Sequence, residues 1–354
     1  MTTTQSTAAR PRREVIGAWV LLAGYVTLLC GLMWDAQWHN DVGPDNFFTA
    51  PHLLLYSGTT MMGLACLTVV LLTTRSAPDR PAVTVFGFFR APLPFLVGGI
   101  GASGNLAYGA ADLWWHDVYG FDIALGTTPS HVGLVLSIFL ELVGVVMAFA
   151  ASVRTRSERW GFVAACAVAA MGSTQLASSL SEPVSAIVPS VAPSALIIGA
   201  EGALILGLAA GVLRSSRWLV ASGLVFVALQ GFLVLFSPAA TRWYADAIGQ
   251  PMRDYATNLS PALLLPVTFP VAALLAAGAV RYARRRPVHR QHVMAVLGGL
   301  VSVTMSVLYL VVAAADANVV VTLVATAVLG AVTGWAGWRL AGSVGAARLA
   351  EGAA

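Results

Sequence analysis

Residues 15–34 read Val-Ile-Gly-Ala-Trp-Val-Leu-Leu-Ala-Gly-Tyr-Val-Thr-Leu-Leu-Cys-Gly-Leu-Met-Trp and contain no charged side chain. A helix rises about 1.5 Å per residue, so about 20 apolar residues cross the hydrocarbon core of a bilayer. Similar apolar runs follow at 51–73, 91–111, 129–151, 160–179, 193–213, 218–236, 260–280, 293–313 and 318–338. Only helices and closed barrels satisfy their backbone within lipid, and these runs are too long for barrel strands. The sequence therefore predicts an all-α polytopic membrane helix bundle with about ten transmembrane helices.

The composition of the whole chain agrees with this prediction. Of the 354 residues, 58% are hydrophobic and only 10% are charged, and the mean hydropathy is +0.78. A soluble domain is about 25% charged. This composition excludes a soluble enzyme, a disordered protein and a fibrous protein. The three cysteines lie in apolar runs without a CxxC spacing, which argues against a disulfide framework or a zinc ribbon.

Arginine alone supplies the basic charge, because the chain has 20 Arg and no Lys. With ten spans, 18 of these residues fall on one side of the membrane, and only Arg242 and Arg253 fall on the other. Loops rich in basic residues stay in the cytoplasm. We therefore expect a multi-pass protein of the cell membrane with both termini in the cytoplasm. The Arg clusters are interpreted as topological anchors, with no nucleic-acid partner.

Two loops on the opposite side contain no Arg and hold or border four of the six histidines. Counted from Asp35 or from Asp112, both copies place Trp at +3, His at +4, Gly at +8 and Asp at +10. A closing histidine follows at +17 in the first copy (His52) and at +19 in the second (His131). Matches at this many positions predict an internal duplication of helix pairs 1–2 and 3–4.

The spacing within each copy suits a metal site. Asp35 and His39 are four residues apart, so near a helix end they share one face. His52 directly follows Pro51, a residue suited to the first turn of the next helix, and a short hairpin brings that turn beside His39. The second copy offers the corresponding residues Asp112, His116 and His131. Two imidazoles and one carboxylate form a metal triad compatible with copper, iron or zinc.

Two further aspartates and the relation between the triads complete the predicted centre. Asp45 and Asp122 could each hold a ligand histidine by its second ring nitrogen, as outer-shell carboxylates do. The triads could share one binuclear site or form two mononuclear sites, depending on how the helix pairs pack. The plain alternative is a scaffold without metal, whose Asp–His pairs respond to pH.

The first copy resembles a known family, the C subunit of the copper membrane monooxygenases, which oxidise methane or ammonia. That family carries D-x-x-W-H, then an Asp six residues after this His, a Phe-Thr pair, and a second His thirteen after the first. The matching residues here are Asp35, Trp38, His39, Asp45, Phe48, Thr49 and His52. The resemblance covers residues 35–52 and is partly repeated at 112–131. It implies that Asp35, His39 and His52 bind copper on the extracytoplasmic face.

Several polar residues within the predicted spans are further candidates. Ionisable groups inside a membrane are functional candidates by default. The residues concerned, assigned to a proton relay or a substrate cavity, are Glu141, Glu201, Tyr56, Asn105 and Tyr108. The alternative is that these groups only form hydrogen bonds between helices.

These observations predict a chain of four parts. They are a cytoplasmic tail (1–14), a duplicated four-helix metal-binding half (15–151), a six-helix supporting half (152–340) and a second cytoplasmic tail (341–354). The predicted function is that of a copper enzyme of the oxidase or monooxygenase kind, acting on a small apolar substrate that arrives through the lipid bilayer. Other membrane subunits or a redox partner would assist it. The alternatives are a non-catalytic copper sensor, carrier or assembly factor, and a non-haem iron enzyme that uses the same triads.

Overall fold

The computed structural model describes residues 11–43, 46–76, 82–120, 128–151, 153–254, 256, 259–285, 289–312 and 317–351, with backbone only at 312 and 345–351. The described helices are α1 (Arg12–Asp41), α2 (Ala50–Arg75), α3 (Leu93–Tyr119), α4 (Pro129–Ala150), α5 (Arg156–Ile187), α6 (Pro193–Leu213), α7 (Ser216–Ile248), α8 (Phe269–Arg285), α9 (Arg290–Val312) and α10 (Val319–Glu351). Nine helical segments in this described part are long and apolar enough to cross a membrane. The prediction of an all-α polytopic bundle is confirmed.

The described helix that falls outside these nine segments is α3. It is long enough to span, but it carries five glycines and the amide of Asn105. The glycines and the amide lower the mean hydropathy of α3, although the helix keeps its full length. The helix begins at Leu93, because Ala91 belongs to a small antiparallel hairpin of β1 (Val83–Val85) and β2 (Phe89–Ala91). That hairpin was not predicted.

The eighth predicted span, 260–280, is divided. A 3-10 turn occupies Pro261–Leu264, and α8 starts only at Phe269. Pro266 lies between the two pieces and cannot donate a backbone hydrogen bond, which accounts for the interruption. The fifth and seventh helices instead run beyond their predicted ends at 179 and 236, passing through Pro183 and Pro238.

The bundle is built from closely packed helix pairs. In the first half α1 packs along α2, and α3 packs along α4. In the second half α6, α9 and α10 pack together. The halves meet where α5 lies against α4 and α6 and where α7 lies against α1. Trp34 and Trp38 of α1 make ring contacts with Tyr244 of α7, so the interface reaches the end of α1 that carries the first triad.

Candidate metal centre

The first triad lies where α1 ends and α2 begins. Helix α1 continues through His39 to Asp41, so Asp35 and His39 lie on one face, as predicted. Helix α2 starts at Ala50 with Pro51 in its first turn, and this places His52 opposite them. The distance from Asp35 Oδ1 is 3.5 Å to His39 Nε2 and 3.1 Å to His52 Nε2. One carboxylate oxygen therefore faces two imidazole nitrogens.

The second triad has the same construction at the junction of α3 and α4. Asp112 Oδ2 lies 3.3 Å from His116 Nε2, and Asp112 Oδ1 lies 3.4 Å from His131 Nε2. Thr128 caps α4 by accepting a hydrogen bond from the backbone N–H of His131, which fixes the first turn of that helix. The structure thus brings together the three residues of each predicted triad, although the second loop is longer.

The spacing of the ligand atoms fits a metal ion. Ligands at about 2.0–2.2 Å from a tetrahedral ion lie about 3.3 Å from one another. The four measured distances, from 3.1 to 3.5 Å, surround that value. The Oδ1 atoms of Asp35 and Asp112 are both buried and accept no hydrogen bond within the described part of the chain. Each of the two groups can hold a metal ion.

In His52 and His116, a hydrogen bond at Nδ1 orients the imidazole ring so that Nε2 can bind a metal ion. His52 Nδ1 lies 3.0 Å from the carbonyl oxygen of Asn46, and His116 Nδ1 lies 3.2 Å from that of Gly120. A carbonyl oxygen only accepts, so Nδ1 carries the hydrogen, and in the neutral ring Nε2 then keeps its lone pair. That lone pair faces a carboxylate oxygen, which is also an acceptor. A cation, either a proton or a metal ion, is needed between them.

Backbone carbonyls support the rings of His52 and His116. Both Asp45 and Asp122 lie outside the described residues, so their assignment stays a prediction. The carbonyls of Asn46 and Gly120 meet the same requirement for His52 and His116, because metal-bound histidines commonly donate their other N–H to a carbonyl or a carboxylate.

Equivalent glycines bring the helices of each pair into backbone contact. Gly24 and Gly101 each precede the triad aspartate of their copy by eleven residues. A Cβ on Gly24 would lie 2.8 Å from the carbonyl oxygen of Gly58, and one on Gly101 would lie 2.8 Å from that of Ser137. Gly58 and Ser137 each follow the closing histidine by six residues. The two helix pairs thus pack in the same register relative to their triads.

The two triads remain separate groups. Within each triad, one ligand atom per residue lies within 4.8 Å of the others, and no group among the described residues mixes ligands from both triads. Tyr56 contacts both the first triad and the helix that carries Asp112. Its ring is 6.3 Å from that of His52, and its hydroxyl lies 2.6 Å from the place of a Cβ on Gly109, one turn before Asp112. This arrangement favours two mononuclear centres at the same end of the bundle.

Asn105 and Glu141 meet deeper in the first half. Asn105 Nδ2 donates to Thr59 Oγ1 at 2.8 Å and to Glu141 Oε2 at 3.2 Å, and all three side chains are fully buried. Glu141 lies ten residues after His131, hence about 15 Å along α4. Tyr108 instead packs over Gly133 of α4. The structure therefore joins Asn105 and Glu141 in one polar cluster, away from both triads.

Glu201 lines a different space. A cavity of about 590 Å³ lies between α4, α6 and α10, with mostly apolar walls. Glu201 borders it, together with Glu14 and Arg154. None of the triad residues lines this cavity, and the assignment of Glu201 to a relay or substrate cavity stays a prediction.

Hydrogen bonds connect the first centre to the second half of the chain, and the sequence did not predict the residues that form them. Arg253, from the segment after α7, donates hydrogen bonds to the carbonyl oxygens of His39 and Asn40 at 3.0 and 3.3 Å. Gln37 donates to Asp41 and to the carbonyl of Leu259. The available signal was that Arg253 is one of only two arginines on the side opposite the Arg-rich loops.

Comparison with known proteins adds no assignment. No family model matches this chain, and it matches neither a curated protein nor a solved structure. The functional argument therefore depends on the geometry of the two triads.

Proposed function

We propose that this chain is a membrane-embedded copper enzyme with an Asp/His/His centre at the end of each of its first two helix pairs. The observation that carries the proposal is the occurrence of two triads with the same residue types and ligand spacings from 3.1 to 3.5 Å. A single cluster of this kind arises easily among interfacial side chains. Two clusters built on equivalent turns favour a retained chemical role.

Copper is proposed as the metal because of the resemblance of residues 35–52 to the copper membrane monooxygenases. When bound, copper supplies one-electron and oxygen chemistry. Asp35, His39 and His52 would hold it, and the side chains of the two histidines are 25% and 22% exposed. This exposure leaves one side of the centre open to a further ligand, as a catalytic site requires.

The surroundings of the first centre suit an apolar substrate. Phe47 stacks on Tyr56 at 4.9 Å between ring centroids, and Tyr56 lies beside His52. These rings would exclude water from one side of the centre and offer contact area to a small apolar molecule. Phe48 is largely exposed and would meet the bilayer, from which such a molecule would arrive. We infer oxidation of a small apolar substrate as the reaction class.

The centres are assigned to the extracytoplasmic face, because the Arg-rich loops lie at the other ends of the same helices. The matching register of Gly24 and Gly101 supports an internal duplication of α1–α2 and α3–α4. The duplication would have placed two centres on one face of the membrane. Glu141 and Asn105 are proposed as part of a proton relay below the second centre.

A non-catalytic copper-handling protein is the second candidate function. The partial exposure of His39 and His52 favours it, because exposed ligands permit exchange of the ion with a partner. Such a sensor, carrier or assembly factor would bind copper without oxidising a substrate. A non-haem iron enzyme is a variant of the first proposal, since two histidines and one carboxylate also form the iron facial triad.

Metal analysis of the purified protein tests the proposal. We expect stoichiometric copper in the wild type and about one equivalent less in His39→Ala. His289→Ala is the matched control, because His289 faces another histidine and belongs to neither triad. Absence of copper and iron, or the same content in His39→Ala, would overturn the proposal. If the protein bound copper but oxidised no small hydrocarbon or amine, the copper-handling role would be favoured.

A further inference from the structure

The last turn of α1 is completed by a residue from the other half of the chain. A helix leaves its last four carbonyl groups without partners within the helix. In α1 the first of these, Trp38, accepts hydrogen bonds from Val42 and Gly43. The other three all bind Arg253. Its guanidinium donates to the carbonyls of His39 and Asn40, and its backbone N–H donates to that of Asp41 at 2.8 Å.

Gly43 provides the space for this contact. Its φ of +143° lies in a region that side chains disfavour, and a Cβ there would lie 3.3 Å from a guanidinium nitrogen of Arg253. A cation at a helix C-terminus also interacts favourably with the helix dipole. A single guanidinium nitrogen, Nη1, donates to both adjacent carbonyls, because its two N–H groups are fixed in the plane of the group.

Buried side chains fasten the same turn. Asp41 is 1% exposed and accepts hydrogen bonds from Gln37 and Asn40, both at 2.6 Å. Gln37 also donates to the carbonyl of Leu259, at 3.3 Å. Arg253 and the carbonyl of Leu259 therefore hold the turn that presents His39, through both backbone and side-chain hydrogen bonds.

Among the described residues, no equivalent attachment from the second half of the chain reaches the second centre. The positions equivalent to Gln37 and Asp41, counted from the triad aspartate, are Trp114 and Val118, which are 56% and 55% exposed. Helix α3 packs mainly on α2 and α4, within the first half. Its last turn is closed locally, because the backbone N–H of Gly120 donates to the carbonyl of His116. The two centres have the same types of ligand, but the contacts that hold them differ within the described residues.

We propose that Arg253 is a positioning residue for the first centre and has no such role at the second. By holding the turn of His39, it keeps Nε2 in the place where it can share a metal ion with Asp35 and His52. A metal site needs its ligands within about 0.5 Å of the productive geometry. The end of a helix frays when its carbonyl groups have no hydrogen-bond partners. This inference rests on the proposed function, since position matters only if His39 binds a metal.

The experiment measures binding of Cu²⁺ at one centre at a time. His131→Ala leaves only the first centre, and His52→Ala leaves only the second. In the His131→Ala background we expect Arg253→Gln to weaken Cu²⁺ binding about 10-fold or more, the usual cost of an outer-shell change. In the His52→Ala background the same substitution should have no effect. Arg253→Lys should restore part of the affinity, because an ammonium can donate to a carbonyl but does not hold its N–H groups in a fixed plane.

The controls separate positioning from a general loss of structure. Arg242→Gln removes the other arginine on this side and should leave both centres unchanged. The paramagnetic resonance spectrum of Cu²⁺ at the first centre should change in Arg253→Gln, because the ligand geometry changes. Unchanged binding at the first centre, or equal weakening at both centres, would overturn the inference. If His131→Ala with Arg253 intact binds no Cu²⁺, the proposed function itself fails at the first centre.

Discussion

Asp35 and Asp112 use their carboxylate groups differently. Asp35 presents the same Oδ1 atom to His39 and His52, whereas Asp112 presents one oxygen to each of its histidines. An asparagine at position 112 would keep one oxygen and place an N–H group against the other imidazole. The second centre therefore depends on both oxygens of a single side chain.

We expect Asp112→Asn to weaken Cu²⁺ binding at the second centre by more than the roughly 10–100-fold that an outer-shell change costs. The substitution removes the negative charge and replaces one of the two facing oxygens. Titration in the His52→Ala background measures this. Asp117→Asn is the matched control, because Asp117 is an exposed carboxylate on the same helix. Equal affinity of Asp112→Asn and the wild type would contradict the assignment of Asp112 as a ligand.

Asn105 should contribute to stability through its two hydrogen bonds. Asn105→Leu would leave Thr59 and Glu141 buried without the amide that donates to both. Loss of such partners costs about 1–3 kcal/mol, so thermal unfolding in detergent should occur at a lower temperature. Leu106→Ala, at an exposed position of the same helix, should change the stability far less. An unfolding temperature equal to that of the wild type would argue against the buried cluster.

The ligands were predictable from the sequence because their relation is local. Asp35 and His39 share a face by helical periodicity, and His52 is placed by the proline that starts the next helix. The contact of Arg253 with His39 joins residues 214 positions apart. It depends on the conformation of an irregular segment, which no periodicity encodes.

At the scale of the helices, the apolar runs gave the cores of the spans but not their ends. Helix α1 continues from the end of its apolar run at 34 to Asp41, because Arg253 and the buried Asp41 stabilise a polar last turn. Two predicted spans end too early, at 179 and 236. Pro183 and Pro238 lie inside α5 and α7, where the surrounding helices keep the backbone helical.

The close packing of α1 on α2 offers a test that leaves every ligand in place. A Cβ on Gly58 would collide with the backbone of Leu28 and would lie 2.5 Å from the carbonyl oxygen of Gly24. Gly58→Ala should therefore push the helices apart, at a cost of about 1–3 kcal/mol. It should also weaken Cu²⁺ binding at the first centre, measured by titration in the His131→Ala background.

The control for this prediction is Gly231→Ala. Gly231 lies in α7, and a Cβ there meets nothing within 4 Å. Alanine is the better helix former, so this variant should be as stable as the wild type or slightly more stable. If Gly58→Ala bound Cu²⁺ at the first centre as tightly as the parent does, close packing of α1 on α2 would not determine the site.

In the whole molecule, we expect the two ends of the bundle to face different compartments. The Arg-rich turns, such as the one before α5, should face the cytoplasm, and the triads should face outward. In a variant whose three native cysteines are replaced, a membrane-impermeant maleimide should label Gln250→Cys in intact cells. It should not label Ser157→Cys until the cells are opened. Both positions are exposed. Labelling in the reverse order would place the centres on the cytoplasmic side.

We propose that each of the first two helix pairs binds one metal ion. The most direct measurement is a count of tightly bound Cu²⁺ in metal-free protein titrated in detergent. We expect two equivalents for the wild type, one for His52→Ala, one for His131→Ala and none for the double variant. A count that the single variants leave unchanged, or a wild type that binds no copper, would contradict it.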